Sequence, residues 1–394
     1  MTLPRFLQIH TLHNYPAALL NRDDAGLAKR LPYGDAIRTR ISSQCLKRHW
    51  RVADDAFALK NLDVPMAVRS RETPRLIKER LMEAGVAESL AQISVEGLRA
   101  AGLLDKAKDL KGKDALATGQ AVLLGYAEIE YLVQRCTTLA GEHTEEKALK
   151  AAIAAFLRDE KKNIEALRHG SGLESALFGR MVTSDVLASR DASIYVAHAF
   201  TVHEAQVEND YFTVVDDLLH EAGEAGSAGI FDTELASGLY YGYLVVDVPQ
   251  LVANLEGVHI KDWAHITAEQ RALAGRVVQS LLHLVATVSP GAKRGSTAPF
   301  EWAKFMLVEA GDWQPRSLAG AFQNALPTRQ AGLRQAAVQR LADEIARMDA
   351  AYGAPLARRY LAVDDVTVPG AQRLPLNALA DWAHTAVVQA SVEV

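Results

Sequence analysis

Arg38-Thr39-Arg40-Ile41-Ser42-Ser43-Gln44-Cys45-Leu46-Lys47-Arg48-His49-Trp50-Arg51 joins a basic, β-prone segment directly to a helix start. Backbone N–H groups are unpaired in the first turn of a helix, and Ser42 or Ser43 can cap them. Gln44, Lys47, Arg48 and Arg51 are three or four residues apart, so they share one side of the helix. The positive end of the helix dipole adds to those cations. A surface of this kind suits a phosphate backbone.

Charge is distributed unevenly along the chain. Residues 1–51 hold nine Lys/Arg and three acids, a net charge of +6, whereas the whole chain is formally −5, so the rest carries −11. A polyanionic partner responds to this asymmetry rather than to the average. The alternative is a set of ordinary solvated cations near a terminus.

The 394 residues suffice for two or three structural units. About half are apolar and a quarter charged, as in soluble globular proteins. No apolar run reaches the roughly 20 residues of a membrane helix, and residues 1–5 do not read as a signal peptide. Cys45 and Cys136 are too few for a disulfide framework or a zinc site, so two reduced thiols in a cytoplasmic protein are expected.

Working outward, residues 6–12 alternate as a strand, and residues 14–35 form a polar loop. A short strand then ends near Ile41, and the basic helix runs to about Leu59. Residues 60–180 read as one all-helical insertion, with helices at 115–139 and 144–169 and capping signals at Thr73-Pro74 and Ser171-x-x-Glu174. Residues 181–330 are mixed. They contain strands at 193–200, 239–248 and 305–308, and a helix opened by Thr267-x-x-Gln270. A glycine-rich centre at 221–229 suggests a hairpin-like arm spanning about 202–237. Residues 331–394 read as a helical part packing on the rest, with amphipathic helix at 332–352 and 376–389. Without insertions the order is β-α-β-β-α-β, the ferredoxin-like plan shared by RNA-recognition motifs. The expected class is therefore α+β.

Other candidates carry weaker signals. His10 or His13 could serve an RNA-processing endonuclease that needs no metal, although residues three apart on a strand do not converge easily. Asp23-Asp24 and Asp216-Asp217 are adjacent pairs, and no ligand spacing supports a metal site. Gly238-Leu239-Tyr240-Tyr241-Gly242-Tyr243 reads as a tyrosine-rich core strand rather than a base-stacking motif. Gly291-Ala292-Lys293-Arg294-Gly295-Ser296-Thr297 is a flexible basic loop suited to phosphates, or a solvated turn.

Six motifs in order bear a family resemblance: Leu20-Asn21-Arg22-Asp23-Asp24, Arg40-Ile41-Ser42-Ser43-Gln44-x-Leu46-Lys47-Arg48, Gly179-Arg180-Met181-x-Thr183-Ser184, Ala197-His198-Ala199, Phe212-Thr213-x-Val215-Asp216-Asp217 and Pro290-Gly291-Ala292-Lys293. Together they resemble the CasC-type backbone subunit of the type I-E CRISPR Cascade surveillance complex. The resemblance implies a modified RNA-recognition palm with a helical finger insertion and an extended thumb hairpin. It implies a cytoplasmic, non-catalytic subunit without cofactor or metal. Its expected partners are CRISPR guide RNA, target DNA paired to that guide, further copies head to tail, and other Cascade subunits. On this resemblance Arg22, Lys29, Arg40, Lys47, Arg48 and Arg51 would neutralise phosphates. Ser42 and Gln44 would hydrogen-bond to phosphate or sugar. Met181 would wedge beside a displaced base, and Lys293 and Arg294 would reach a neighbouring phosphate or the target strand.

Overall fold

The computed structural model describes residues 3–100, 116–118, 121–159, 172–180, 190–215, 227–329, 331–353 and 356–389. Met181 and the arm tip at 216–226 lie outside these residues, as do Ser171 and residues 160–169 of the expected 144–169 helix. The protein is α+β. It divides into two compact units, one formed by residues 1–59, 195–246 and 275–394, the other by 60–194 and 247–274.

Twelve strands are present among the described residues: β1 Phe6–Ala18, β2 Arg30–Tyr33, β3 Ala36–Ile41, β4 Ala67–Ser70, β5 Val122–Gly125, β6 Ile194–Val196, β7 Ala199–Thr201, β8 Gln206–Val215, β9 Ser227–Asp247, β10 Phe305–Gly311, β11 Ala357–Ala362 and β12 Ala371–Arg373. The large sheet runs β12-β11-β10-β1-β9-β7-β3-β2, with β6 and β8 paired to β9 off that path. Numbered first to fourth along the chain, β1, β7, β9 and β10 stand side by side in the order fourth, first, third, second, that is β10-β1-β9-β7. This is the β-α-β-β-α-β plan, with its helices at Ser43–Arg51 and Ala268–Thr287. The second helix opens on the expected capping box: Gln270 N–H donates to Thr267 Oγ1 at 3.3 Å, and Thr267 N–H donates to Gln270 Oε1 at 3.0 Å.

Several local expectations change. The polar loop is shorter than expected, because β1 continues to Ala18 and Arg30–Tyr33 pairs with β3. Gly34 turns that hairpin at φ 62°, and the Gln323 carbonyl occupies the place a Cβ would need. The basic helix stops at Arg51 rather than near Leu59. Asp55 competes with its continuation, its carboxylate accepting from Phe57 N–H at 2.8 Å. The 60–180 region is not wholly helical, since β4 and β5 pair antiparallel. The helix expected from Ala115 starts at Tyr126, where Glu128 Oε2 accepts from Gly125 N–H at 2.9 Å. The C-terminal part adds two strands to the sheet, with β11 pairing along β10.

The core of the first unit lies between the sheet and the helix Leu333–Tyr352. Leu12, Phe200, Leu239, Tyr241, Leu307, Phe322, Leu341 and Tyr360 pack there. The second unit has its own core of Ile77, Leu81, Val95, Leu98, Ile129, Leu132, Ile153 and Phe156. Tyr240 and Tyr241 are each 1% exposed, so the tyrosine-rich strand is core. Among the described residues no helix is long and apolar enough to cross a membrane.

Burial dominates the lowered pKa of both His10 and His13, and His13 is brought down to about 4. These rings fold neutral, with pKa values below the unfolded value near 6.5. The unfolded chain therefore binds more protons between pH 6.5 and 4, and stability is lost as pH falls through that window. His13 alone should cost about 2 kcal/mol between pH 7.5 and 5. Urea unfolding at the two pH values checks this; equal or greater stability at pH 5 would contradict it.

Candidate nucleic-acid interface

Leu19-Leu20-Asn21, where the chain leaves β1, ties three basic segments together. The Leu19 carbonyl accepts from Ala292 N–H at 2.8 Å, anchoring the 291–297 loop. The Leu20 carbonyl lies 3.8 Å from Cys45 Sγ on the basic helix. The Asn21 carbonyl accepts from Lys29 N–H at 2.9 Å, and Asn21 Oδ1 accepts from Ser42 N–H at 2.8 Å. The Lys29 carbonyl in turn accepts from Arg40 N–H at 2.7 Å.

Ser42 is the N-cap of the helix Ser43–Arg51. Its backbone is extended, and its Oγ accepts from Cys45 N–H at 3.3 Å. The residue is buried, so its hydroxyl serves the helix start first. Ser43, His49 and Trp50 form the buried face. Gln44 and Arg48 are exposed, while Lys47 and Arg51 are half-buried.

Arg22 is exposed and bridges antiparallel to Ala28, closing a small loop. Asp23 Oδ1 accepts from Leu27 N–H at 2.9 Å inside it, which explains a carboxylate among cations. Arg40 donates from Nε to the Arg30 carbonyl at 3.2 Å and from Nη1 to His198 Nδ1 at 2.9 Å. Arg294 is exposed and donates to the Ser289 carbonyl at 3.3 Å. Lys293 is half-buried against the middle of the described part of the β8–β9 hairpin. It bonds to Thr233 Oγ1 and sits 5.6 Å above the Phe212 ring.

Electrostatics show that these cations converge. Burial pushes the Cys45 thiol pKa up, and Arg48, Lys29 and Arg294 oppose it. Burial pushes His49 down against its hydrogen bond to the Cys45 carbonyl, and Arg294 and Arg48 add to the fall. His198 falls through burial, then through Arg40 and Lys29. Lys29 lies near both Cys45 and His198 and its carbonyl is bonded to Arg40 N–H, so Lys29, Arg40, Arg48 and Arg294 gather as a cationic patch about the segment Leu19–Asn21.

Not every cation of the basic amino-terminal stretch belongs to this patch. Arg38 is fully buried and donates to the Thr201 and Phe322 carbonyls at 3.2 and 3.0 Å. Arg30 is paired to Glu234, whose Oε1 also accepts from Ala28 N–H at 2.8 Å. That carboxylate secures the hairpin to the loop rather than leaving Arg30 to a ligand.

Sequence reading overlooked Asn21 as a positioning group and His198 as the partner of Arg40. Phe212 opens a recognised motif, but its cross-strand pairing with Phe231 was not foreseen; the ring centroids are 5.7 Å apart and the two residues are 39% and 50% exposed. Asn21 does stand within a recognised motif, but its role depends on a residue 21 positions away.

Asn21→Ala leaves the Ser42 N–H without its acceptor and should cost about 1–2 kcal/mol. Asn21→Asp keeps an acceptor and brings a negative charge into the patch. It should stay close to wild type in thermal unfolding yet bind single-stranded RNA several-fold more weakly. Equal RNA binding by Asn21→Asp and wild type would contradict this placement.

The histidines suggested for cleavage do not form a reactive pair. His10 is 0% exposed; its Nε2 donates to Glu309 Oε2 at 3.2 Å, and its Nδ1 accepts from Tyr241 O–H at 2.9 Å. His13 lines a small cavity of about 30 Å³ with Tyr15, Trp50, Tyr240 and Pro290, room for roughly one water.

A family model described as CT1975-like protein matches residues 7–384. One solved chain, from a "CRISPR RNA-guided surveillance complex, pre-nicking", is similar with a TM-score of 0.78 at 27% identity, covering 97% of this chain and 100% of that one. Another, from a "CRISPR RNA-guided surveillance complex", has a TM-score of 0.65 at 23% identity, covering 95% and 99%, and shares the fold. No curated protein matches the sequence.

Proposed function

The chain belongs to the CT1975-like protein family, and from that membership and the cationic patch we propose that it is a guide-RNA-binding subunit of a CRISPR surveillance complex. The carrying observation is the convergence of Lys29, Arg40, Arg48 and Arg294 around the capped start of the helix Ser43–Arg51. Such a site holds sugar and phosphate and carries no sequence information, which suits a protein that must accept many guides. Discrimination is left to base pairing with target DNA.

In finer terms the reading is a type I-E, CasC-type backbone subunit. Copies stack head to tail along the guide RNA in the cytoplasm, next to other Cascade subunits. The β8–β9 hairpin acts as the thumb that interrupts the guide, with Met181 beside the displaced base. Arg22, Lys47 and Arg51 extend the phosphate track, Gln44 bonds to sugar or phosphate, and Lys293 and Arg294 reach a neighbouring phosphate or the target strand. The subunit is not an enzyme in this reading. Its support is the sealed position of His10 and the use of buried tyrosines as core.

The test is isolation of the native assembly, sequencing of its RNA and electron microscopy of the particle. CRISPR-derived RNA running along repeated copies of this chain is expected. A nucleic-acid-free particle, or RNA crossing another face, would overturn the proposal.

A further inference from the structure

Residues 299–304 leave the basic loop and lead into β10 as an extended segment. Alternate residues face the protein. Glu301 N–H donates to Ser289 Oγ at 2.9 Å, Ala303 N–H donates to the Ala286 carbonyl at 2.7 Å, and Ala303 is buried. Phe300 and Trp302, between them, are each 69% exposed, the most exposed large apolar side chains among the described residues. Positions i and i+2 of an extended chain project to one side, about 6.6 Å apart. That is roughly twice the 3.4 Å spacing of stacked bases, so one planar ring fits between the two.

The charge around this pair indicates the kind of ring. Pro299, the preceding residue, packs with Arg294 against Gly291, and the Arg294 carbonyl accepts from Ala298 N–H at 2.9 Å. The pair thus begins where the cationic loop ends. Glu301, the one acid between the aromatics, is neutralised by Lys304 at 2.7 Å. Aromatic faces beside a cationic track are the arrangement that holds single-stranded nucleic acid without reading its sequence.

We propose that Phe300 and Trp302 clamp one unstacked nucleobase of a single-stranded nucleic acid whose phosphates are held by the 291–297 loop. The inference rests on the guide-binding reading and adds a base subsite to it. The base belongs either to the guide RNA or to a DNA strand, and the test separates them.

Full-length wild type, Trp302→Ala and the double variant Phe300→Ala/Trp302→Ala are titrated with single-stranded RNA and with DNA of the same sequence. Each strand carries 2-aminopurine, moved one position at a time. Quenching at a defined position is expected for one of the two strands in wild type. The double variant should lose that quenching and bind about tenfold more weakly, with an unchanged salt slope because no cation is removed. Both side chains are exposed, so thermal unfolding should not move. If the double variant binds and quenches as wild type does, while Lys47→Ala still lowers the slope, the clamp is wrong and the guide-binding reading stands. If wild type binds neither strand, both fall. If the variants lose only association with other copies or subunits, the aromatics are a protein contact and the clamp is overturned.

Discussion

Glu309→Ala is expected to unfold most of the protein or to remove about 3–5 kcal/mol of its stability. Glu309 is 0% exposed in the middle of the sheet. Its carboxylate accepts from His10 Nε2, from Arg316 at 2.6 and 3.0 Å, and from Arg358 Nε at 2.6 Å. Arg358 is 5% exposed and makes a second, bidentate pair with Asp349 at 2.6 and 2.7 Å. Burial by itself raises the Glu309 pKa, but the hydrogen bonds of His10 and Arg316 and the charge of Arg316 outweigh it and hold the carboxyl below the ordinary range. The ion is therefore present throughout the physiological range. Its contribution is complete above the unfolded carboxyl value near 4.3 and is lost as pH falls below it. Removing the carboxylate leaves a buried guanidinium short of a partner, in a fold whose total stability is of order 5–15 kcal/mol. Arg347→Ala is the control. Arg347 is 66% exposed and pairs with Glu344, and an exposed member of such a pair contributes at most about 1 kcal/mol. Denaturant unfolding followed by circular dichroism reads both; an unchanged midpoint for Glu309→Ala would refute the network's role.

The combined Lys29→Ala/Arg48→Ala/Arg294→Ala variant should bind single-stranded RNA about a thousandfold more weakly at low salt. Each charge-assisted contact is worth about 1.5 kcal/mol, and three give roughly 4–5 kcal/mol. The slope of log affinity against log salt should fall by about 2, from ~0.7 per phosphate contact on a single strand, and by ~0.7 for Lys47→Ala alone. The loss should be the same for unrelated guide sequences, because phosphate contacts report no base identity. Arg347→Ala removes an exposed charge on the helix Leu333–Tyr352 and should change neither quantity. A loss that depends on guide sequence, or an unaltered slope, would show that these cations do not hold the backbone.

Much of the fold was legible locally. The alternation of Phe6–Leu12, the serine cap before Gln44, the Thr267–Gln270 box and the β-prone 239–248 run each depend on neighbours a few residues apart. The strand-helix order that follows is enough to place the ferredoxin-like plan. The motifs near Asn21, Ser42 and Lys293 marked the segments that form the cationic patch. Less legible were β5, which lies inside the expected 115–139 helix, and β11 and β12, short runs between the two amphipathic helices that become strands only beside their partners.

Residue types and their local spacing were thus sufficient for the class of fold, the capped basic helix and the segments from which the cationic patch is built. Which cations stay at the surface was settled by packing. Arg38 and Arg40 are two positions apart in one strand, yet Arg38 is sealed against Thr201 and Phe322 while Arg40 reaches His198. The same holds for His10 and Glu309, which meet across 299 residues because β1 pairs with β10. Caps and periodicity are encoded between near neighbours, whereas burial and charge pairing depend on which distant strand lies alongside, and only the assembled sheet supplies that.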